Sequence, residues 1–320
     1  MTINEINANE RVLKPLIDRA LLKSVELVFK MCSINKTRPQ EPDFVASLSL
    51  SFTRDLFDIL RLLFPHFNIS VTGVYCHQRP IVDIGEAKSP EIGDLLLVYR
   101  ERNFGTDRLN SLLLQAKTSS KQTLQVSSDE QHQLKLYENW PKFTYRRAGK
   151  LNGITRDILP KTINDGSQYL LIDTDPMTNG LMGLGGTFPM GCAIANETLI
   201  LHSNFTDEIF DFLKFKAGRA FEHRHSSDLK DDWSNMVWDL ISMSKSVKSK
   251  RRNIGLGSFP RVNEHVFFCT EGSWQSSLYL DIHNNNLSDI SKDYDYEEHP
   301  NGVSIILIES SPEEGEYSDW

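Results

Sequence analysis

Residues 91–117 read EIGDLLLVYRERNFGTDRLNSLLLQAK, and two apolar runs within them decide the fold. LLLVY at 95–99 is apolar at successive positions, the pattern of a strand covered on both faces, so it predicts a strand from Gly93 to Tyr99 in the middle of a sheet. LLLQAK closes a second strand, Ser111 to Lys117. Side chains two apart on a strand share a face, which points Gln115 and Lys117 the same way and turns Ala116 into the packing. Asp94, at the start of the neighbouring strand, reaches the face that carries Gln115 and Lys117.

Working outward, Phe67 to Cys76 reads as a strand on the N-terminal side. Two helices precede it, Glu10 to Cys32 and Asp43 to Phe64, each with an apolar stripe at helical spacing. Pro15 is tolerable only in a first turn, and Pro65 stops the second helix. On the C-terminal side, Ser128 or Asp129 caps a helix through EQHQLKLYENW, and QYLLIDT at 168–174 reads as a further buried strand. The order from 43 to 174 is therefore helix, three strands, helix, strand. Beyond it, Ala193 to His202 suggests a strand, and DEIFDFLKFKAGRAF and DDWSNMVWDLISMSKSV are helical patterns. HVFFCT at 265–270 and VSIILIES at 303–310 read as late strands. These elements divide into an N-terminal helical segment (1–40), an α/β domain (41–205) and a mixed α/β C-terminal region (206–320).

The 320 residues are 39% hydrophobic and 24% charged, enough to bury a core, which excludes wholesale disorder. Acidic residues outnumber basic ones 43 to 35, for a formal charge of −8. That excess argues against nonspecific coating of nucleic acid but allows a local basic groove. The start has no basic segment leading into an apolar run, and no stretch is long and apolar enough to span a bilayer, so neither export nor membrane insertion is expected. Cys32, Cys76, Cys192 and Cys269 form no CxxC pair and read as isolated thiols in a reducing cytoplasm.

The chemistry gathers around Asp94, Gln115 and Lys117, with Gln133 and Tyr137 four apart on one face of the following helix. A carboxylate with a second oxygen ligand suits Mg²⁺, which leaves its other positions to water and phosphate oxygens. A lysine beside that ion can orient an attacking water and offset charge developing in the transition state. These are parts for metal-assisted phosphodiester hydrolysis. Either fragment alone reads better as an ordinary strand end or turn; their combination, in order, carries the argument.

Helix, strand, strand with GD, strand with QxK, helix with QLKLY, strand resembles the core of the PD-(D/E)XK nuclease superfamily, and QLKLY looks like the QxxxY motif of its RecB-like branch. The likeness covers roughly residues 41 to 175. It implies a restriction-endonuclease-like core, a central mixed β-sheet flanked by helices, with divalent-metal dependence (Mg²⁺ or Mn²⁺) and DNA cleavage. On that likeness Asp94 takes the metal-ligand aspartate position, Gln115 the second, variable acidic position, and Lys117 the lysine position. Gln133 and Tyr137 supply the helix motif. Gln115 departs from the usual Glu or Asp, although Mrr-like nucleases tolerate a QxK form. The missing charge calls for another carboxylate, with Glu91 the first candidate and Glu41 or Asp43 the next. As ordinary features, Glu91 is a solvated loop acid and Asp43 an acid favoured by its helix dipole.

Lys142, Arg146, Arg147 and Lys150 form a basic cluster after this helix that suits phosphate contacts, with Tyr145 available to stack on a base. A second cluster, Lys245 to Arg252, reads better as a charged loop. His223, His225 and Asp228 lack metal-site spacing, and Asp173 with Asp175 reads as a strand-end turn. The expected activity is that of a metal-dependent deoxyribonuclease, with DNA and a partner such as a helicase or ATPase subunit, in a bacterial antiviral or restriction system. The competing expectation is a catalytically silent nuclease-like fold that binds nucleic acid or a partner protein.

Overall fold

Four helices open the chain in the computed structural model: α1 (Ile3–Ala8), α2 (Glu10–Asn35), α3 (Glu41–Ser47) and α4 (Thr53–Leu63). The structure describes residues 1–76, 80–103, 106–121, 123–162, 166–174, 181–183, 186–223, 231–244, 267–269 and 302–313. Helix α2 buries Leu13, Ile17, Leu21, Val25 and Val28, the stripe that its periodicity predicts. Pro15 lies in its second turn rather than its first, and having no N–H it removes the bond to the Arg11 carbonyl while the helix continues.

The single helix expected over 43–64 is broken. A π-helical stretch, Leu48–Phe52, separates α3 from α4. Thr53 Oγ1 donates to the carbonyls of Leu48 (3.1 Å) and Ser49 (3.0 Å), and the backbone of Gly73 packs against the same turn. A Cβ at Gly73 would fall 1.6 Å from the Ser49 carbonyl oxygen, so only glycine permits this approach.

Among the described residues fifteen strands follow or are interleaved: β1 (Phe67–Val74), β2 (Ile81–Asp83), β3 (Leu95–Asn103), β4 (Thr106–Ser119), β5 (Thr123–Gln125), β6 (Phe143–Arg146), β7 (Thr155–Arg156), β8 (Ser167–Asp173), β9 (Leu181–Gly183), β10 (Gly186–Phe188), β11 (Met190–Ala193), β12 (Thr198–Asn204), β13 (Arg219–Ala220), β14 (Phe267–Cys269) and β15 (Ser304–Pro312). The remaining helices are α5 (Gln131–Asn139), α6 (Phe205–Leu213) and α7 (Asp232–Ser244). The strand expected over Ala193 to His202 is two, β11 and β12, in an antiparallel pair.

Ten strands form one mixed sheet in the order β14-β1-β15-β3-β4-β8-β11-β12-β5, with β13 on β4. Strand β15 pairs antiparallel with β1 and parallel with β3, while β4 pairs antiparallel with β3 and parallel with β8. A separate three-stranded sheet runs β2-β6-β7. The architecture is α/β, a large mixed sheet with helices on both faces.

Alternation along the central strands divides the core. Leu95, Leu97, Leu112, Leu114, Ala116, Ile306 and Ile308 pack with α2, α3, α4 and α6. Leu96, Val98, Leu113, Ile305 and Leu307 pack with α5, α7 and the small sheet. The divisions drawn at 40 and 205 mark no break in this core. Helix α2 contributes to the first cluster, and β15, assigned from sequence to the C-terminal region, lies between β1 and β3.

Candidate active site

The β3–β4 register places Leu95 opposite Leu114. Asp94 continues that ladder, its N–H donating to the Leu114 carbonyl at 2.9 Å and its own carbonyl accepting from Ser304 of β15 at 3.1 Å. The aspartate is thus fixed by backbone bonds to strands on both sides. Its Oδ2 accepts the Ala116 N–H at 2.8 Å and a short hydrogen bond from the Gln115 amide, while no described residue bonds Oδ1.

Gln115 and Lys117 lie on the same face of β4, as their spacing requires, and Ala116 is buried on the other. Gln115 is 6% exposed, and with its Nε2 committed to Asp94 its Oε1 is buried without a hydrogen-bond partner. Such an unmatched acceptor costs stability unless something supplies a donor or a cation.

Four carboxylates surround the lysine. Glu130, in the 3₁₀ turn that opens α5, forms a short ion pair with Lys117 Nζ. Glu41, at the start of α3, accepts the Thr118 N–H through Oε1 at 3.2 Å and places Oε2 4.0 Å from Nζ. Glu91, in an isolated bridge to Ile81, and Asp94 complete the group. Burial, then the charges of Glu91 and Glu41, push the Asp94 carboxyl up to about 7 against the relief from Ala116 and Lys117. Burial likewise raises Glu91, with Lys117 opposing and Glu41 assisting. Burial alone would lower the Lys117 ammonium, but Glu41, Glu130 and Asp94 together raise it above its ordinary value, so it stays charged.

The helix motif acts from above. Tyr137 is fully buried, donates its hydroxyl to the Ile92 carbonyl at 3.0 Å, and stacks on Trp140 at a ring separation of 5.8 Å. It holds the turn before Asp94 and presents no free hydroxyl. Gly93 lets it do so, since a Cβ there would meet the Tyr137 oxygen and Leu113 at 2.8 Å. Gln133 is 6% exposed, with its Nε2 unmatched.

Several sequence expectations resolve differently. Asp43 is a helix cap, Oδ2 accepting the Gln40 N–H at 2.9 Å. Tyr145 is fully buried against Phe143, so it offers no stacking surface. The basic cluster divides: Arg146 and Arg147 line a cavity, and Lys142 and Lys150 stand outside that lining. His223 lies 3.2 Å from Arg100 Nη2, away from any metal set; His225, Asp228, Asp175 and the Lys245–Arg252 cluster lie outside the described residues. Glu130, which sequence reasoning missed, sits in SDE, where an acid at a helix start reads as a dipole partner.

Among the described residues, no three or more His, Cys, Asp or Glu converge as a chelating set. The donors still suit a hard cation that keeps most of its water: the open Asp94 Oδ1, the unmatched Gln115 Oε1 and the raised Glu91 carboxyl are all oxygens. Compared with known protein families, curated proteins and solved structures, the chain has no match.

Proposed function

We propose that the protein is a divalent-metal-dependent DNA nuclease with a PD-(D/E)XK-type centre, Asp94 and Gln115 holding the cation, Glu91 assisting and Lys117 acting on the scissile phosphate. The observation that carries this reading is the Asp94–Gln115–Lys117 cluster itself. A backbone-fixed carboxylate with one open oxygen lies beside a buried, unmatched amide oxygen, and a charged lysine stands two residues on. A bound Mg²⁺ or Mn²⁺ would supply Lewis acidity and an activated water. Gln115 and the Ala116 N–H orient the aspartate, Lys117 offsets charge developing on the phosphoryl oxygens, and Tyr137 fixes the Ile92–Gly93 turn from which Asp94 projects. Glu130 and Glu41 keep Lys117 protonated near the reacting phosphate.

A second reading, a silent nuclease-like binding module, draws on one observation: the Gln115 amide nitrogen is committed to Asp94 and the Lys117 ammonium to Glu130, so both donors are taken up within the protein. Incubating purified protein with labelled DNA in Mg²⁺ or Mn²⁺, beside Lys117→Ala and a chelator control, decides between them. Cleavage lost in both controls supports the nuclease. No cleavage by wild type, with no metal heat in calorimetry, refutes it. A role as the effector subunit of an antiviral or restriction system, targeted by a helicase or ATPase, is part of the same proposal and suits an acidic chain whose basic residues are local.

A further inference from the structure

A cavity of about 830 Å³ opens beside the candidate site, walled by Lys88, His132, Arg146 and Arg147 and floored by Ile81 and Tyr145. Its walls come from four separate stretches of chain: the loop before Glu91, the first turn of α5, the end of β6 and the turn at Asn152 and Gly153. None of its lining residues is Asp or Glu, although acids outnumber bases 43 to 35 in the chain. A concave surface with three cations and no carboxylate on a protein of charge −8 focuses positive potential where the molecule as a whole would repel an anion.

The cations are available. Arg147 has no hydrogen-bond or ion-pair partner among the described residues and stands in a left-handed backbone conformation at φ 50°, a position that glycine fills at lower cost. Lys88 pairs with Asp129 at 2.9 Å and Arg146 with Asp83 at 2.5 Å, but both cationic side chains are more than 60% exposed, and exposed pairs of this kind are weak enough to exchange for a phosphate.

Position links the cavity to the chemistry. His132 precedes Gln133 on α5, Ile81 bridges Glu91, and Glu91 lies three residues before Asp94. Burial and then the charge of Lys88 lower the His132 imidazole, with Glu130 and the Asp129 backbone opposing and Lys117 adding a smaller lowering, so the charges of both the cavity and the site reach this ring. The volume suits a nucleotide or two and is far too small for a duplex. With Tyr145 buried, the walls offer charge and hydrogen bonds rather than an aromatic platform.

We infer that this cavity is a phosphate-binding subsite that holds a single strand of DNA by its backbone as the strand leaves the Asp94–Lys117 site, with Lys88, Arg146 and Arg147 contacting phosphates and His132 lining the passage. This rests on the nuclease reading, from which it takes the strand; it adds that the substrate is engaged as a single strand.

The test is fluorescence anisotropy in metal-free buffer across a salt series, so that binding is read without cleavage. A labelled single-stranded oligodeoxynucleotide is compared with its duplex, with inorganic phosphate as competitor, for wild type, the Lys88→Ala/Arg147→Ala double variant and a Lys142→Ala/Lys150→Ala control. The expected result is tighter binding of the single strand than of the duplex, and no displacement by phosphate at comparable concentration. The cavity variant should flatten the salt slope by about 1.4 units, from roughly 0.7 per single-strand phosphate, and the control should leave it unchanged. An unchanged slope in the folded cavity variant, equal or tighter duplex binding, effective competition by phosphate, or no binding by wild type each overturns the proposal. Binding as expected by a wild type that never cleaves in Mg²⁺ or Mn²⁺ would refute the nuclease reading alone and leave the strand site standing.

Discussion

Gln115 donates its side-chain amide to the same Asp94 oxygen that accepts the Ala116 N–H, so one carboxylate oxygen is doubly bonded and the other is left open. The amide thereby does what a second acid cannot do without a cation: it stabilises Asp94 in place. A neutral residue at this position holds the aspartate with no cation present, and on the proposed reading it lowers the charge available to bind the metal.

Gln115→Glu therefore separates the two roles. Without metal, a second carboxylate replaces a donor beside a carboxyl already raised to about 7, and the melting temperature at pH 8 should fall below wild type. With Mg²⁺ or Mn²⁺ the added charge should tighten metal binding, restore the melting temperature, and retain or raise cleavage. Thermal melts with and without metal, alongside calorimetry, read both effects. A stable metal-free variant with unchanged metal affinity would show that Gln115 Oε1 faces no cation.

Asp94→Asn should stabilise the protein at high pH. A carboxyl whose folded value lies near 7 and whose unfolded value lies near 4 favours folding in its protonated form, so its contribution is fully present below about pH 4 and is lost as pH rises through 7. The asparagine keeps an acceptor for the Ala116 N–H without the charge. Melting curves should show a gain over metal-free wild type at pH 8 that vanishes near pH 4, while cleavage is lost at every pH. Wild-type cleavage should rise with pH as Asp94 ionises, with a midpoint that moves below the metal-free value as the metal concentration is raised. A higher melting temperature coupled to lost function marks a residue kept for chemistry at a cost in stability.

The candidate site was legible because its parts are local. QxK and QLKLY each lie within one element and GD directly precedes β3, and strand or helix periodicity fixes which residues share a face. Glu130 and Lys88 were not, since their roles depend on how α5 and the loop before Glu91 fold over the β4 end, a relation with no periodic signature. The same limit explains β15. Its apolar run VSIILIES marks a doubly covered strand, but its place between β1 and β3, more than 200 residues away in sequence, is set by pairing that one strand's pattern cannot specify. The π-helical break at Leu48–Phe52 depends on Gly73 in another element, so the stripe of α3 and α4 reads as one helix.

Lys117→Ala should abolish cleavage and leave the fold intact, with a stability cost that depends on pH. At pH 8 the lysine is the cation facing Glu41, Glu91, Asp94 and Glu130; removing it raises the carboxyls of Glu91 and Asp94 further and leaves Glu130 with only its Ser127 bonds to offset burial. Each change penalises the charged forms, so the melting temperature should fall at pH 8 and less near pH 4, where Asp94 and Glu91, both raised, have taken up their protons while Glu130, lowered, still pairs with the lysine. Equal losses at both pH values would mean that Lys117 contributes packing through its stem rather than charge.

Tyr137→Phe tests whether the helix motif positions the site or only fills the core. The hydroxyl is buried and its one described bond is to the Ile92 carbonyl, two residues before Asp94. Removing it leaves that carbonyl unmatched, a loss of about 1–2 kcal/mol, while the ring keeps its stacking on Trp140. For a chain of this size the melting temperature should drop by roughly 1.5–3 °C. If Tyr137 only supports the core, cleavage measured well below the transition should match wild type. If it positions Asp94 through the Ile92–Gly93 turn, metal affinity should weaken together with turnover, and raising the metal concentration should recover much of the lost rate. The second pattern is expected, because Gly93 makes room for the tyrosine oxygen at the residue that leads into Asp94. Wild-type metal affinity in a variant with the lowered melting temperature would assign Tyr137 to the core alone.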